Sequence, residues 1–315
     1  MPRRTRLRNG PASRTDLPLL VAVVAVVVTA GAGVLAQATL PVFRSSIELT
    51  TVTATVLGAD GQIVAGLPRE RFDVYEDGLR QDITHFTNER VPVSLAVMLD
   101  TSDSMYGQRL AEARLAITQF VTGLIDRGDE FAIVAFNHRQ QVLATWTDDG
   151  PSADRVLQPL KPFGSTALYD ALLATLPLAA TRHRQRAALL VVSDGADTAS
   201  DSSLRDVRAQ LLRSDAFVYA VAIDPASRFP INAPVNVGAL SDITDQSGGR
   251  TRVVRSTAEL GLALAEIADE LNHQYLIGYT SPNANDGKYH SIRVRVRDGA
   301  YRVRARNGYV AERKN

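Results

Sequence analysis

Three short segments of this 315-residue chain gather side chains that bind hard cations: Asp100-Thr101-Ser102-Asp103-Ser104, Gly164-Ser165-Thr166 and Ser193-Asp194-Gly195. One or two carboxylates with several hydroxyls make an all-oxygen shell. Such a shell suits Mg²⁺ or Mn²⁺ in octahedral coordination, with Ca²⁺ as a further option. Asp100, Ser102 and Ser104 fall two residues apart, just past the apolar run Val93–Leu99. Nothing in this donor set selects zinc or copper. Cysteine is absent, which removes disulfides, Cys-based zinc sites and thiol nucleophiles together. The same residue types also cap helix N-termini, and that is the plainer use of any one segment taken alone.

A rival chemistry is phosphoryl transfer, since an aspartate after a buried strand can act as the nucleophile. The sequence departs from that pattern. Ser102 stands where a D-x-D phosphatase has its second acid. The chain's lysines are Lys161, Lys288 and Lys314, and none stands at a strand end of the alternating region. G-x-S-x-G, a P-loop and a dinucleotide fingerprint are all missing. The expectation is therefore a protein that is not an enzyme.

The elements that must position these oxygens are strands alternating with helices. Val93–Leu99 and Ala187–Val192 are continuous apolar runs, as strands covered on both faces should be. Arg109 to Ile125 carries apolar residues at helical spacing. Phe131–Phe136 and Gln141–Trp146 read as an antiparallel pair joined by a short polar turn. Thr166 to Ala180 reads as a helix capped by Thr166, Leu204–Leu212 as a helix and Ala216–Ile223 as a strand. Thr257–Leu271 reads as a helix capped by Thr257. This alternation predicts an α/β fold with a doubly wound, mostly parallel sheet. Ligands of such sheets bind outside the carboxyl ends of the strands, where Asp100 and Asp194 fall.

Together the three segments, D-x-S-x-S, G-S-T-A-L-Y-D and V-S-D-G-A-D, resemble a von Willebrand factor A domain with its metal-ion-dependent adhesion site. The resemblance covers about Val91 to Asn272. Ser247-Gly248-Gly249-Arg250 is similar to that family's late loop, and Ser165 departs slightly where a second glycine is common. The resemblance implies that Asp100, Ser102, Ser104 and Thr166 hold Mg²⁺, Mn²⁺ or Ca²⁺ directly or through water, and that Asp194 completes the shell through water. It also implies one open coordination position, filled by an Asp or Glu carboxylate of a partner protein. Metal-dependent adhesion is the leading function. The alternatives are a scaffold for an envelope complex and, behind it, an Asp-dependent phosphotransfer enzyme.

The remaining sequence places this domain. A net charge of +1 gives no field that would draw nucleic acid, and 45% hydrophobic with 22% charged residues is ordinary for a globular chain. Arg3, Arg4, Arg6, Arg8 and Arg14 lie in or beside a basic N-terminus, 1–16, read as cytoplasmic. The uncharged stretch 17–40 is long enough for a signal anchor. Val34-Leu35-Ala36 near its end resembles a signal-peptidase site, so cleavage and secretion is the alternative to a single-pass membrane protein. Either way the bulk of the chain lies outside a bacterial cytoplasmic membrane. The flanks resemble those of bacterial exported proteins that carry the domain between β segments.

Residues 46–90 and 273–312 have β texture, and the expectation is that they fold together as one smaller β-sandwich with 91–272 inserted between them. Asp298-Gly299 predicts a hairpin that pairs Arg295 with Arg302 and Arg293 with Arg304, leaving a basic solvated face. His85, His138, His183, His273 and His290 show no ligand spacing and read as surface or capping groups, and Trp146 as a core or rim aromatic. Asp170 serves the helix after Thr166, while Asp103 and Asp197 add negative potential near the metal.

Overall fold

The computed structural model describes residues 49–194, 196–224 and 237–313. The N-terminal segment 1–40, expected to be an anchor or signal, lies outside the described residues, as does Gly195. Among the described residues no helix is long and apolar enough to cross a membrane.

The described residues open with β1 (Leu49–Leu57), β2 (Phe72–Glu76), β3 (Leu79–Gln81) and β4 (Ile83–Thr87). The alternating region follows: β5 (Val93–Asp100), α1 (Gln108–Gln119), β6 (Glu130–Phe136), β7 (Gln140–Thr147), α2 (Gly150–Leu157) and α3 (Leu168–Thr175). It continues with β8 (Arg186–Ser193), α4 (Leu204–Leu211), β9 (Phe217–Ile223), α5 (Val237–Ser247), β10 (Thr251–Val254) and α6 (Thr257–Asn272). The chain closes with β11 (Tyr275–Thr280), β12 (Tyr289–Val296), β13 (Arg302–Ala305) and β14 (Gly308–Val310).

Strands β5 to β10 form one six-stranded sheet in the order β10-β9-β8-β5-β6-β7. All its neighbours run parallel except β6 and β7, so the sheet is mixed. Every residue of β5, β6, β8 and β9 is buried, as their mostly apolar composition requires. Leu95, Val97 and Leu99 of β5 join one core with α1, α2 and α6. Ala96 and Met98 point the other way, into a core with α3, α4 and α5. The chain leaves β5 toward β6 and β7 on one side and later returns to β8 on the other. The order therefore reverses between β5 and β8, the place where an open sheet forms its crevice.

The two flanks pair with each other. One four-stranded sheet has the order β13-β1-β11-β4 and another β14-β12-β2-β3, so each mixes strands from before and after the α/β region. The two sheets share an apolar core that includes Val52, Val56, Phe72, Val74, Tyr275, Ile277, Tyr279, Ile292 and Val294. We call this the β lobe. A buried polar knot ties it to the α/β region. Glu270 of α6 accepts hydrogen bonds from Thr55 Oγ1 (3.0 Å) and Tyr219 OH (2.9 Å) and pairs with Arg304 of β13 at 2.5 Å.

The expected hairpin at Asp298-Gly299 does not form. β12 pairs with β2 and β14, whereas β13 pairs with β1 in the other sheet. A two-residue turn of the expected kind needs positive φ at both central residues; Asp298 has φ 56°, but Gly299 is not left-handed. The basic face is split as a result. Arg293 and Arg295 stay exposed on β12, with Arg295 5.4 Å over the Tyr75 ring, while Arg304 turns inward to Glu270.

Candidate metal centre at the carboxyl edge of the sheet

Asp100 ends β5 with 0% exposure, and both its oxygens are used. Oδ1 accepts from the Ser102 backbone N–H at 2.8 Å and Oδ2 from Ser193 Oγ at 2.6 Å. The first bond curls the chain back on itself at the strand end. The second joins the ends of the adjacent strands β5 and β8. Ser102 and Ser104 then meet oxygen to oxygen at 2.9 Å. A single 3-10 turn, Asp103–Met105, follows Ser102 and carries Ser104, and Met105 anchors it by inserting into the core at 0% exposure.

The second loop is fastened to the first by its backbone. Phe163 N–H donates to the Thr101 carbonyl and Asp103 N–H to the Gly164 carbonyl, both at 2.8 Å. Thr101 Oγ1 donates to the Phe136 carbonyl at 3.0 Å, so this hydroxyl braces the loop. Gly164 has φ +78°, and a Cβ there would lie 2.7 Å from His138 Nδ1. Only glycine fits that approach.

Thr166 is 4% exposed, and its backbone is locked to the third loop. Its N–H donates to Thr198 Oγ1 at 3.0 Å, and its carbonyl accepts from Thr198 and Ala199 N–H at 2.8 and 3.0 Å. Among the described residues its hydroxyl makes no hydrogen bond to Asp100, Ser102 or Ser104. Asp194, just past β8, is 5% exposed, and among the described residues its Oδ1 accepts a long 3.4 Å bond from Ala196 N–H. The three segments are thus brought to one edge, two of them in side-chain contact and the third by backbone tethers.

The electrostatics of the set are unbalanced. Burial pushes the Asp100 carboxyl up to about 6; the Ser193 hydrogen bond opposes this and the Asp194 charge adds to it. Among the described residues neither Asp100 nor Asp194 has an Arg, Lys or His ion-pair partner. Buried carboxylates are normally paired with cations or coordinate metals. Two such groups beside three neutral hydroxyls form a hard-oxygen donor set with a charge deficit, which fits a divalent cation.

Thr166 does not cap α3. The helix begins at Leu168 after Ala167, and the carboxylate of Asp197 takes its role by accepting from Leu168 N–H at 2.7 Å. Asp170 accepts from Asp201 and Ser202 N–H at 2.9 and 3.0 Å and so holds the loop behind the site. Ser193, whose hydroxyl fixes Asp100, has a role that the sequence pattern did not reveal. Trp146 is half-buried and donates to Thr181 Oγ1 at 3.0 Å, as a rim aromatic would.

A second carboxylate cluster lies in the β lobe. Ligand atoms of Glu76, Asp77 and His290 all fall within 4.8 Å of one another, so His290 is not the isolated surface group expected. Its Nδ1 is 2.7 Å from Asp77 Oδ2, and its Nε2 is 3.0 Å from Asp286 Oδ1. Burial acts to lower the His290 pKa, but the Asp286 and Asp77 hydrogen bonds and charges outweigh it and raise it. Glu76 accepts from Tyr279 OH and Ser281 Oγ, each at 2.7 Å, from Asn283 Nδ2 at 3.1 Å and from Tyr309 OH at 3.2 Å. Every group here already has a partner, so this cluster works as a staple. Sequence offers no cue to it, because Asp77 and His290 are 213 positions apart.

An open α/β sheet with hydroxyls and acids at its switch point defines a class of ligand-binding fold. Residues 95–196 match the sequence profile of the von Willebrand factor type A domain. An uncharacterized protein from Synechocystis is 29% identical over 121 residues, covering 36% of this chain; the chain spans only 28% of that relative. A von Willebrand factor type A structure from Catenulispora acidiphila is 13% identical with a TM-score of 0.51, covering 87% of this chain and 76% of its own. That likeness concerns fold alone, and its extent reaches beyond the α/β region into the β lobe. An aerotolerance-related membrane protein from Bacteroides fragilis is 20% identical with a TM-score of 0.48, covering 57% of this chain and 98% of its own.

Proposed function

We propose that this chain is a non-enzymatic, divalent-metal-dependent protein-binding module held outside the cytoplasmic membrane of a bacterium. The supporting observation is the pair of buried carboxylates, Asp100 and Asp194, which lack a cationic partner among the described residues beside two hydroxyls 2.9 Å apart. In this reading Asp100, Ser102 and Ser104 hold Mg²⁺, with Mn²⁺ or Ca²⁺ as substitutes, and Thr166 and Asp194 complete the shell. When bound, the metal supplies an electrophilic position for a partner's Asp or Glu carboxylate. The chain's own residues keep the donors convergent and shield them from water. A metal that keeps one exchangeable position and faces neutral hydroxyls retains its pull on an incoming anion.

The N-terminal segment serves in this reading as the membrane anchor, and 46–90 with 273–312 forms one β-sandwich domain that carries the inserted domain 91–272. Expression of 91–272 alone tests the last point, and a stable fold of 46–90 by itself would refute it. The function is tested by capture of envelope proteins on the full chain with and without EDTA, and on Asp100→Ala. A specific partner should be lost in both cases. A partner retained in both would show that the metal is not the binding element.

A further inference from the structure

Two of the most exposed large apolar side chains sit on the loops of the metal centre. Tyr106, two residues past Ser104, is 79% exposed, and Phe163, three residues before Thr166, is 66% exposed. Other exposed apolar residues, such as Leu79, Leu115 and Leu262, are scattered over a hairpin tip and helix faces, as single surface residues normally are.

Phe163 is held in place. Its backbone N–H is bound to Thr101, and its ring meets the edge of His138 at 5.6 Å with the planes at 69°. His138 in turn occupies the space that the left-handed Gly164 leaves open. The Tyr106 backbone is held next to buried Met105, its N–H donating to the Asp103 carbonyl at 3.2 Å. Exposed aromatics on anchored loops cost little ordering entropy on binding and are the usual anchors of protein interfaces. Around a metal they have a further effect. A carboxylate on a cation competes with water, and an apolar rim that excludes water strengthens the bond it encloses. Lys161, exposed on the loop of Phe163, and Arg139, exposed in the β6–β7 turn beside His138, add positive charge that favours an acidic segment.

We propose, building on the metal-dependent reading above, that Tyr106 and Phe163 select the partner, and that the segment they accept carries its Asp or Glu directly beside bulky aliphatic or aromatic residues. The test uses blocked tripeptides as probes, acetyl-Leu-Asp-Leu-amide against acetyl-Gly-Asp-Gly-amide and acetyl-Leu-Asn-Leu-amide, bound by equilibrium dialysis to the full chain in detergent with saturating Mg²⁺. Partial burial of two leucines should make Leu-Asp-Leu about tenfold tighter than Gly-Asp-Gly. The double variant Tyr106→Ser, Phe163→Ser should bring the two affinities together, while Leu115→Ser, which removes an exposed apolar group from α1, should keep them apart. Equal affinities in the unmodified chain, or a preference that survives the double variant, would overturn the proposal and leave the metal reading standing. Binding of the Asn peptide as tightly as the Asp peptide, or no Mg²⁺-dependent binding at all, would instead remove the metal reading and the rim proposal with it.

Discussion

Glu76 and Asp100 are both carboxylates sealed from solvent, at 1% and 0% exposure, yet their surroundings differ in kind. Four neutral donors from Tyr279, Ser281, Asn283 and Tyr309 converge on Glu76, and beside it Asp77 and Asp286 enclose His290. The carboxylate oxygens there are met by hydrogen-bond donors of the protein itself, and Asp77 and Asp286 share the His290 ring. Asp100 has hydrogen bonds from Ser102 and Ser193, but its charge is met by another carboxylate and not by a base. Residue types alone would rank the first cluster higher, because it contains a histidine and more acids. The partners of each group reverse that order: the complete cluster belongs to the fold, and the deficient one is where the proposed function places a ligand.

The largest expected effect breaks the first cluster. Glu76→Ala strands several buried hydroxyls and an amide, and denaturant unfolding should show a loss of about 3–5 kcal/mol that neither EDTA nor Mg²⁺ alters. Asp100→Ala should do the reverse. At a hundredfold excess over its dissociation constant Mg²⁺ stabilises a binding fold by about 2.7 kcal/mol, and thermal unfolding should show that gain in the unmodified chain and none in the variant. A Mg²⁺ gain that survives in Asp100→Ala would put the ion elsewhere.

The His290 pair gives a pH signature. Its folded pKa is raised, so the stabilisation is fully present below the unfolded value of about 6.5 and is lost as pH rises through the folded value. Melting temperatures between pH 6 and 9 should decline through this step in the unmodified chain and run flatter in His290→Gln; parallel profiles would refute the staple. The smallest effect checks a helix end. Ser256 Oγ accepts from Glu259 N–H at 3.2 Å, so Ser256→Ala should cost about 1 kcal/mol and Thr257→Ala only a few tenths. A larger loss for Thr257→Ala would reverse that assignment.

The contrast also marks what the sequence could and could not reveal. The apolar strands β5 and β8 and the oxygens after them were legible, since a doubly buried parallel strand leaves a run of aliphatics and its end can be located to a residue. The same reasoning found β6, β7 and β9. It overlooked α2, which is only two turns long, and α5, whose Gly238, Asp242, Thr244 and Asp245 are weak helix formers. It also displaced two caps by a position or more, because Ser and Thr neighbours are interchangeable in pattern and only the backbone angle decides between them. The Asp298-Gly299 turn failed for a similar reason: local chemistry permitted a hairpin, while long-range pairing of β13 with β1 required a crossing. Asp197 as the cap of α3, Ser193 as the clamp of Asp100 and the whole His290 staple depend on residues far apart in the chain. No spacing rule reaches them.

Calorimetric titration of Mg²⁺ and Mn²⁺ into the full chain, Asp100→Ala and His290→Gln tests the central claim most directly. The expected result is one binding event in the unmodified chain, lost in Asp100→Ala and kept in His290→Gln. Absence of binding at millimolar metal, or binding that survives Asp100→Ala and disappears in His290→Gln, would contradict it.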